Sequence, residues 1–157
     1  EVGPGASESH SRRKEKDSGR VMQMCAEPTS LQRTWSILLV DDDAAVLESL
    51  PPVLAGPQIE VATAANYPEA LEALARQQFD LVITDLRLEG QACRRGLDVV
   101  REAKRLQPQA TVVLMTSYGS GEIYGEALER GAVECWQKSL TMLELLGRIR
   151  RLGIPVE

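Results

Sequence analysis

Leu81-Val82-Ile83-Thr84-Asp85 sets four strand-forming, largely apolar residues directly ahead of a carboxylate. The pattern recurs twice. Ile37-Leu38-Leu39-Val40 runs into Asp41-Asp42-Asp43, and Val112-Val113-Leu114-Met115 runs into Thr116-Ser117. An apolar run without alternation reads as a strand buried on both faces, as in a parallel sheet covered by helices. In such sheets ligands bind in the crevice beyond the carboxyl ends of the strands. Asp41, Asp42, Asp85 and Thr116 are therefore expected to meet at one edge, with Asp85 as the working residue.

Between these runs the apolar spacing turns helical. Strands are predicted over 36–40, 59–64, 79–85, 111–116 and 132–137, and helices over about 44–54, 67–77, 96–106, 122–130 and 140–152. Val46, Leu47, Leu50 and Leu54 mark one inward face; Ala70, Leu71 and Leu74 the next; then Leu97, Val100 and Leu106; and in the last helix Leu143, Leu146 and Ile149. Asp42 or Asp43 suits the cap of the first helix. Pro51-Pro52 should bend that helix or end it early, since an internal proline costs about 3 kcal/mol. Gly131 suits a helix C-terminus. Strand and helix alternate five times. That implies an α/β fold: a doubly wound, five-stranded parallel sheet with right-handed crossovers and helices on both faces.

Composition excludes several alternatives. With a net charge of −5, nothing supports non-specific nucleic-acid binding by this chain. No apolar run is long enough to span a membrane, and no apolar signal core marks the N-terminus for secretion. Cys25, Cys93 and Cys135 stand far apart with no C-x-x-C pair, so a disulfide framework or zinc site is not expected and a reducing cytoplasm is. Cys93, beside Arg94 and Arg95, should be the exposed thiol. The single histidine, His10, lies near the N-terminus, which disfavours histidine acid–base chemistry. Residues 1–34 read as a polar, disordered tail or an extension ahead of the domain, 35–152 as the domain, and 153–157 as a short C-terminal tail.

Two carboxylates at one strand end and a third at another suit a hard divalent cation such as magnesium. Close carboxylates also repel one another unless a cation or proton intervenes. Asp43 is equally well explained as a helix cap. A threonine and a lysine, Thr116 and Lys138, follow at the ends of the fourth and fifth strands.

Taken in order, Leu38-Leu39-Val40-Asp41-Asp42-Asp43, Asp85, Thr116 and Lys138 give this chain a pattern that resembles the receiver domain of two-component response regulators. The resemblance covers about 36–152 and implies a flavodoxin-like strand order, 2-1-3-4-5. It implies that Asp85 takes a phosphoryl group from a phosphohistidine on a sensor histidine kinase or histidine phosphotransfer protein. It implies magnesium held by Asp41, Asp42, Asp85 and the backbone carbonyl of Arg87. Lys138 would pair with a phosphoryl oxygen, and the Thr116 hydroxyl would swing in and move the loop behind it. The face formed by the fourth helix, fifth strand and fifth helix, about 121–151, would be the output surface and a homodimer contact. Such a chain turns over no external metabolite; self-phosphorylation and its reversal are the most it would catalyse. No DNA-binding segment is expected after Leu152, so the chain reads as a stand-alone receiver or a piece of a larger regulator.

Three positions depart from the pattern. Cys135 stands where the family usually has an aromatic switch, with Trp136 expected on the opposite face of the strand and Trp136 or Tyr118 as substitutes. Ser139 follows Lys138 where a cis-proline is common, so a trans bond or reshaped loop is expected. The loop from Leu86 to Gly96 is a few residues long and lacks the customary proline near Glu89; Arg87, Arg94 and Arg95 are in reach of the site. These departures leave open a degenerate receiver that acts only as a protein-binding module. A haloacid-dehalogenase-type phosphatase is disfavoured, because its second aspartate would fall at Arg87.

Overall fold

The computed structural model describes residues 33–90 and 93–157. Most of the expected N-terminal tail, with His10 and Cys25, lies outside the described residues. Ten elements alternate: β1 (Trp35–Val40), α1 (Ala44–Leu54), β2 (Ile59–Ala64), α2 (Tyr67–Arg76), β3 (Leu81–Asp85), α3 (Arg95–Leu106), β4 (Thr111–Thr116), α4 (Gly121–Arg130), β5 (Glu134–Gln137) and α5 (Met142–Arg151). All strand pairs are parallel, in the order β2-β1-β3-β4-β5. The doubly wound flavodoxin-like fold is thus the one the sequence implies.

Unbroken apolar runs are needed because both sheet faces are covered. Leu38, Val40, Val82 and Leu114 face a layer with Ala70 and Leu74 of α2, Val100 and Ala103 of α3, and Ile123 and Ala127 of α4. Ile37, Leu39, Ile83, Val113 and Trp136 face the other, with Leu50 and Leu54 of α1 and Leu145, Leu146 and Ile149 of α5. Each fully buried aliphatic side chain contributes about 1.5–3 kcal/mol. Polar caps then fix the helix starts. Asp43 Oδ1 accepts from the Ala45 amide at 2.9 Å, Asn66 Oδ1 from Glu69, and Thr141 with Glu144 forms a capping box. Gly131, at φ +117°, closes α4 as expected.

Four sequence expectations need correction. α1 does not end early: it runs through Pro51 and Pro52 to Leu54. The carbonyls that lose their donors belong to Leu47 and Glu48, half-buried and exposed respectively, while buried Leu50 and Leu54 hold the last turn down. Leu143 does not face the core but is 78% exposed. It sits two residues before Leu145, about 200° around the helix from it. Leu106, the last residue of α3, is 37% exposed rather than part of the buried face. The next residue, Gln107, takes the buried place, donating to the carbonyls of Leu74 and Gln77 and accepting from the Phe79 amide. Cys93 is only half-buried, as is Cys135. Past α5 the chain keeps packing: Ile154 and Val156 are buried, and Arg150 Nε donates to the Val156 carbonyl at 3.0 Å. Among the described residues no helix is long and apolar enough to cross a membrane.

Candidate functional site

The β1–β3 register pairs Val40 with Thr84, which sets Asp41 beside Asp85 at the carboxyl end of the sheet. The three aspartates after β1 then divide. Asp41 is buried; its amide donates to the Ala64 carbonyl at 3.1 Å, and its Oδ1 accepts from the Asp43 amide at 2.9 Å. Asp42 is exposed, and Asp43 caps α1. Asp85, at the end of β3, is 8% exposed. Asp41, Asp42 and Asp85 each bring a carboxylate oxygen within 4.8 Å of the others, the one such group among the described residues.

Lys138 reaches this cluster from the end of β5. Its Nζ donates to Asp41 Oδ2 at 2.7 Å and lies 3.4 Å from Asp85 Oδ2. The Lys138 amide donates to the Thr116 carbonyl at 3.1 Å, which fixes the start of the loop. Ser139 follows, and no cis peptide occurs among the described residues. Burial and the neighbouring charge of Asp41 push the Asp85 carboxyl up to about 6, against the pull of Lys138. Burial works against the charged Lys138 amine, but its bond to Asp41 and the charge of Asp85 prevail and raise its pKa.

Beyond Asp85 lies an open cavity of about 230 Å³, lined by Asp42, Asp43, Asp85, Arg87, Gly90, Thr116, Ser117, Tyr118 and Lys138. Asp41 lies below it, out of the lining. Thr116 Oγ1 accepts from the Tyr118 amide at 3.1 Å, so in this state the hydroxyl holds its own loop. The Arg87 guanidinium lies 4.9 Å from the Tyr118 ring centroid. The structure thus brings together Asp41, Asp42, Asp85, Arg87, Thr116 and Lys138.

The two aromatics named as substitutes part company. Trp136 is buried in the α1–α5 layer, with its indole N–H donating to Glu134. Cys135 packs against the opposite layer, where burial pushes its thiol pKa up. Tyr118 is 60% exposed. Sequence reasoning missed Tyr124, whose ring fills the space beside Gly119 and whose hydroxyl lies 3.4 Å from the Gln137 amide nitrogen. It also missed Gly96. A Cβ there would run into the carbonyl oxygen of Asp85, so α3 starts hard against the strand end that carries that residue. A glycine at the first turn of a helix was the available signal, but spacing does not say what the glycine touches.

The family profile of the response regulator receiver domain matches residues 37–150. The response regulator protein PilR of Pseudomonas aeruginosa is 37% identical over 115 residues, which is 73% of this chain and 24% of that protein. This chain spans about a quarter of the length of such curated relatives. The CheY-like receiver domain protein of Methanospirillum hungatei is 30% identical, with a TM-score of 0.69 over 75% of this chain and 92% of that one. A response regulator of Burkholderia pseudomallei, whose structure has a phosphorylated aspartic acid, a calcium ion and citrate, is 26% identical with a TM-score of 0.66 over 72% of this chain and 65% of that one. This chain belongs to the response regulator receiver domain family.

Proposed function

We propose that residues 35–152 form the phosphoacceptor unit of a two-component phosphorelay and that Asp85 carries the phosphoryl group. A carboxylate oxygen of Asp85 forms the O–P bond as the N–P bond of a partner phosphohistidine breaks. The bonding pair stays on the imidazole nitrogen, which takes up a proton. The observation that carries this reading is Asp85 itself: nearly buried, facing an open cavity, with a cationic lysine at 3.4 Å and two further carboxylates beside it. The phosphorylated aspartic acid of the Burkholderia relative supports the same chemistry here.

The donor set fits magnesium. It consists of hard oxygens only, and three carboxylates face a single lysine, which leaves negative charge for a cation to offset. Asp41, Asp42, Asp85 and the Arg87 carbonyl would hold it. Bound there, it would supply positive charge to the transferring phosphoryl oxygens. Lys138 neutralises a phosphoryl oxygen from the other side. The Thr116 hydroxyl leaves the Tyr118 amide for the phosphoryl group, and the loop behind it follows. Arg87 and Tyr118, paired along the cavity lining, slow the approach of water to the acyl phosphate. The donor is a sensor histidine kinase or a histidine phosphotransfer protein in the cytoplasm. The α4–β5–α5 face is the output surface and a homodimer contact; Leu128, Val133 and Leu143, one on each part or at its edge, are exposed apolar side chains.

Intact mass after incubation with magnesium and acetyl phosphate tests this. Wild type is expected to gain one phosphoryl group, and neither Asp85→Asn nor an EDTA-treated sample should. A folded wild type that gains no mass in magnesium would return the chain to the binding-only reading.

A further inference from the structure

The loop from β3 to α3 makes a turn that side-chain-bearing residues avoid. Glu89 has φ +65° and Gly90 φ +119°. Glycine takes such angles freely, but a glutamate there is strained unless its surroundings hold it. They do. Glu89 Oε2 accepts a 3.2 Å hydrogen bond from the amide of Tyr67, the first residue of α2. The first amides of a helix have no partner within it, and the helix dipole favours negative charge there. At the far end of the same loop, the Arg95 guanidinium lies 4.2 Å from the centroid of the Tyr67 ring. Both arms of the loop therefore rest on one residue of α2. Just ahead of the turn Leu88 is fully buried, which anchors the chain on that side of Glu89-Gly90. That turn borders the site: Gly90 lines the cavity, and so does Arg87, two residues before Glu89, with its guanidinium 4.9 Å from the Tyr118 ring centroid.

We propose that Glu89 is a positioning residue: by capping α2 at Tyr67 it fixes the left-handed turn that aims Arg87 across the cavity, and so prolongs the life of the phosphoryl group on Asp85. The second half of this rests on the reading of Asp85 as phosphoacceptor; the first does not. Glutamine keeps an acceptor oxygen at this position and alanine does not. Glycine takes the turn without strain but also lacks the acceptor.

Two measurements on the full chain test it. In metal-free protein, the Tyr67 amide is expected to exchange with solvent about tenfold faster in Glu89→Ala than in wild type, with Glu89→Gln close to wild type. After phosphorylation and removal of acetyl phosphate, Glu89→Ala should lose its phosphoryl group several-fold faster and Glu89→Gln should not. The acceleration should vanish when both variants being compared also carry Arg87→Ala. Glu89→Gly should behave as Glu89→Ala does, and replaces it if the alanine variant fails to fold. Unchanged exchange at Tyr67 overturns the cap. A full Glu89→Ala effect on the Arg87→Ala background, or a glutamine variant no better than alanine, overturns the positioning role. If wild type takes up no phosphoryl group, the phosphoacceptor reading and the lifetime role fail together, while the exchange result still decides the cap.

Discussion

On the β1–β3 side of the cavity, the carboxylates of Asp41 and Asp85 hang from the ends of strands buried on both faces and locked in one ladder register. On the β4–β5 side, Thr116 and Lys138 end strands too, but what surrounds them is side chain and loop: Tyr118 exposed, the Tyr124 ring lodged beside Gly119, Lys138 reaching across to Asp41. An error in the first half means slipping a strand, which reverses every side chain it carries. The second half can change by rotating a side chain or shifting a turn. A site that must hold charge steady and yet report a change gains from this division, with the rigid half holding the charge and the adaptable half responding.

Lys138 is where the halves meet, and removing it should have the largest effect. In Lys138→Met the buried Asp41 carboxylate loses its cation. Breaking a buried pair on one side costs about 3–5 kcal/mol in a dry interior; with Lys138 partly exposed, about 2 kcal/mol is expected in metal-free protein by chemical denaturation. Uptake of phosphoryl from acetyl phosphate should slow about 100-fold, the size seen when one stabilising charge is removed from a transition state. A variant as fast as wild type would detach Lys138 from the chemistry and leave it a structural pair.

The two glycines sharpen the contrast. A methyl group at Gly96 meets backbone, the Asp85 carbonyl; one at Gly119 meets the far end of the Tyr124 side chain. Gly96→Ala is expected to cost about 2–3 kcal/mol and to impair phosphorylation, because the strand end itself must move. Gly119→Ala should cost about 1 kcal/mol or less, since the Tyr124 ring can turn aside. Equal costs would mean that the β4–β5 side is as rigid as the other.

Asp85 adds a pH test of the same division. Its pKa is raised from 3.8 to about 6 in the folded, metal-free protein. Between those values the folded state binds more protons than the unfolded chain, so stability falls as pH rises. The stabilising contribution is complete below about 3.8 and is lost as pH passes 6. In EDTA, Asp85→Asn should therefore gain on wild type as pH rises from 4 to 7.5, by about 1 kcal/mol once solvent screening is allowed for. Magnesium should raise the wild-type melting temperature at pH 7.5 and narrow that gap.

How much of this could be read from residues follows the same line. Asp41, Asp42 and Asp85 were legible because a strand buried on two faces must be apolar throughout, so the first carboxylate marks where it leaves the core. Asp43 was legible as a cap from its place before the helix. Lys138 and Thr116 took their meaning from the family pattern, since a lone lysine or threonine at a strand end says little. The roles of Tyr124, Gly96 and the Glu89 turn were not legible: each depends on a contact that only the fold creates, and composition and period do not say what the residue touches. Leu106 and Leu143 were misread for a related reason. Helical spacing gives the direction of a side chain but not where the covering layer stops.

Leu143 gives the smallest and most selective expectation. It lies on the same helix as Leu146, which is 7% exposed, yet is itself 78% exposed. Leu146→Ala removes packed methyl groups and should cost about 2–5 kcal/mol. Leu143→Ala removes nothing from the core and should change stability by less than about 0.5 kcal/mol. Its solvent-facing apolar surface is instead available to a second copy of the chain or to an output partner. If the α4–β5–α5 face joins two copies, Leu143→Ala should weaken self-association of the phosphorylated protein in sedimentation, while leaving phosphoryl uptake unchanged. A stability loss comparable to that of Leu146→Ala would return Leu143 to the core and put the outer boundary of this face elsewhere.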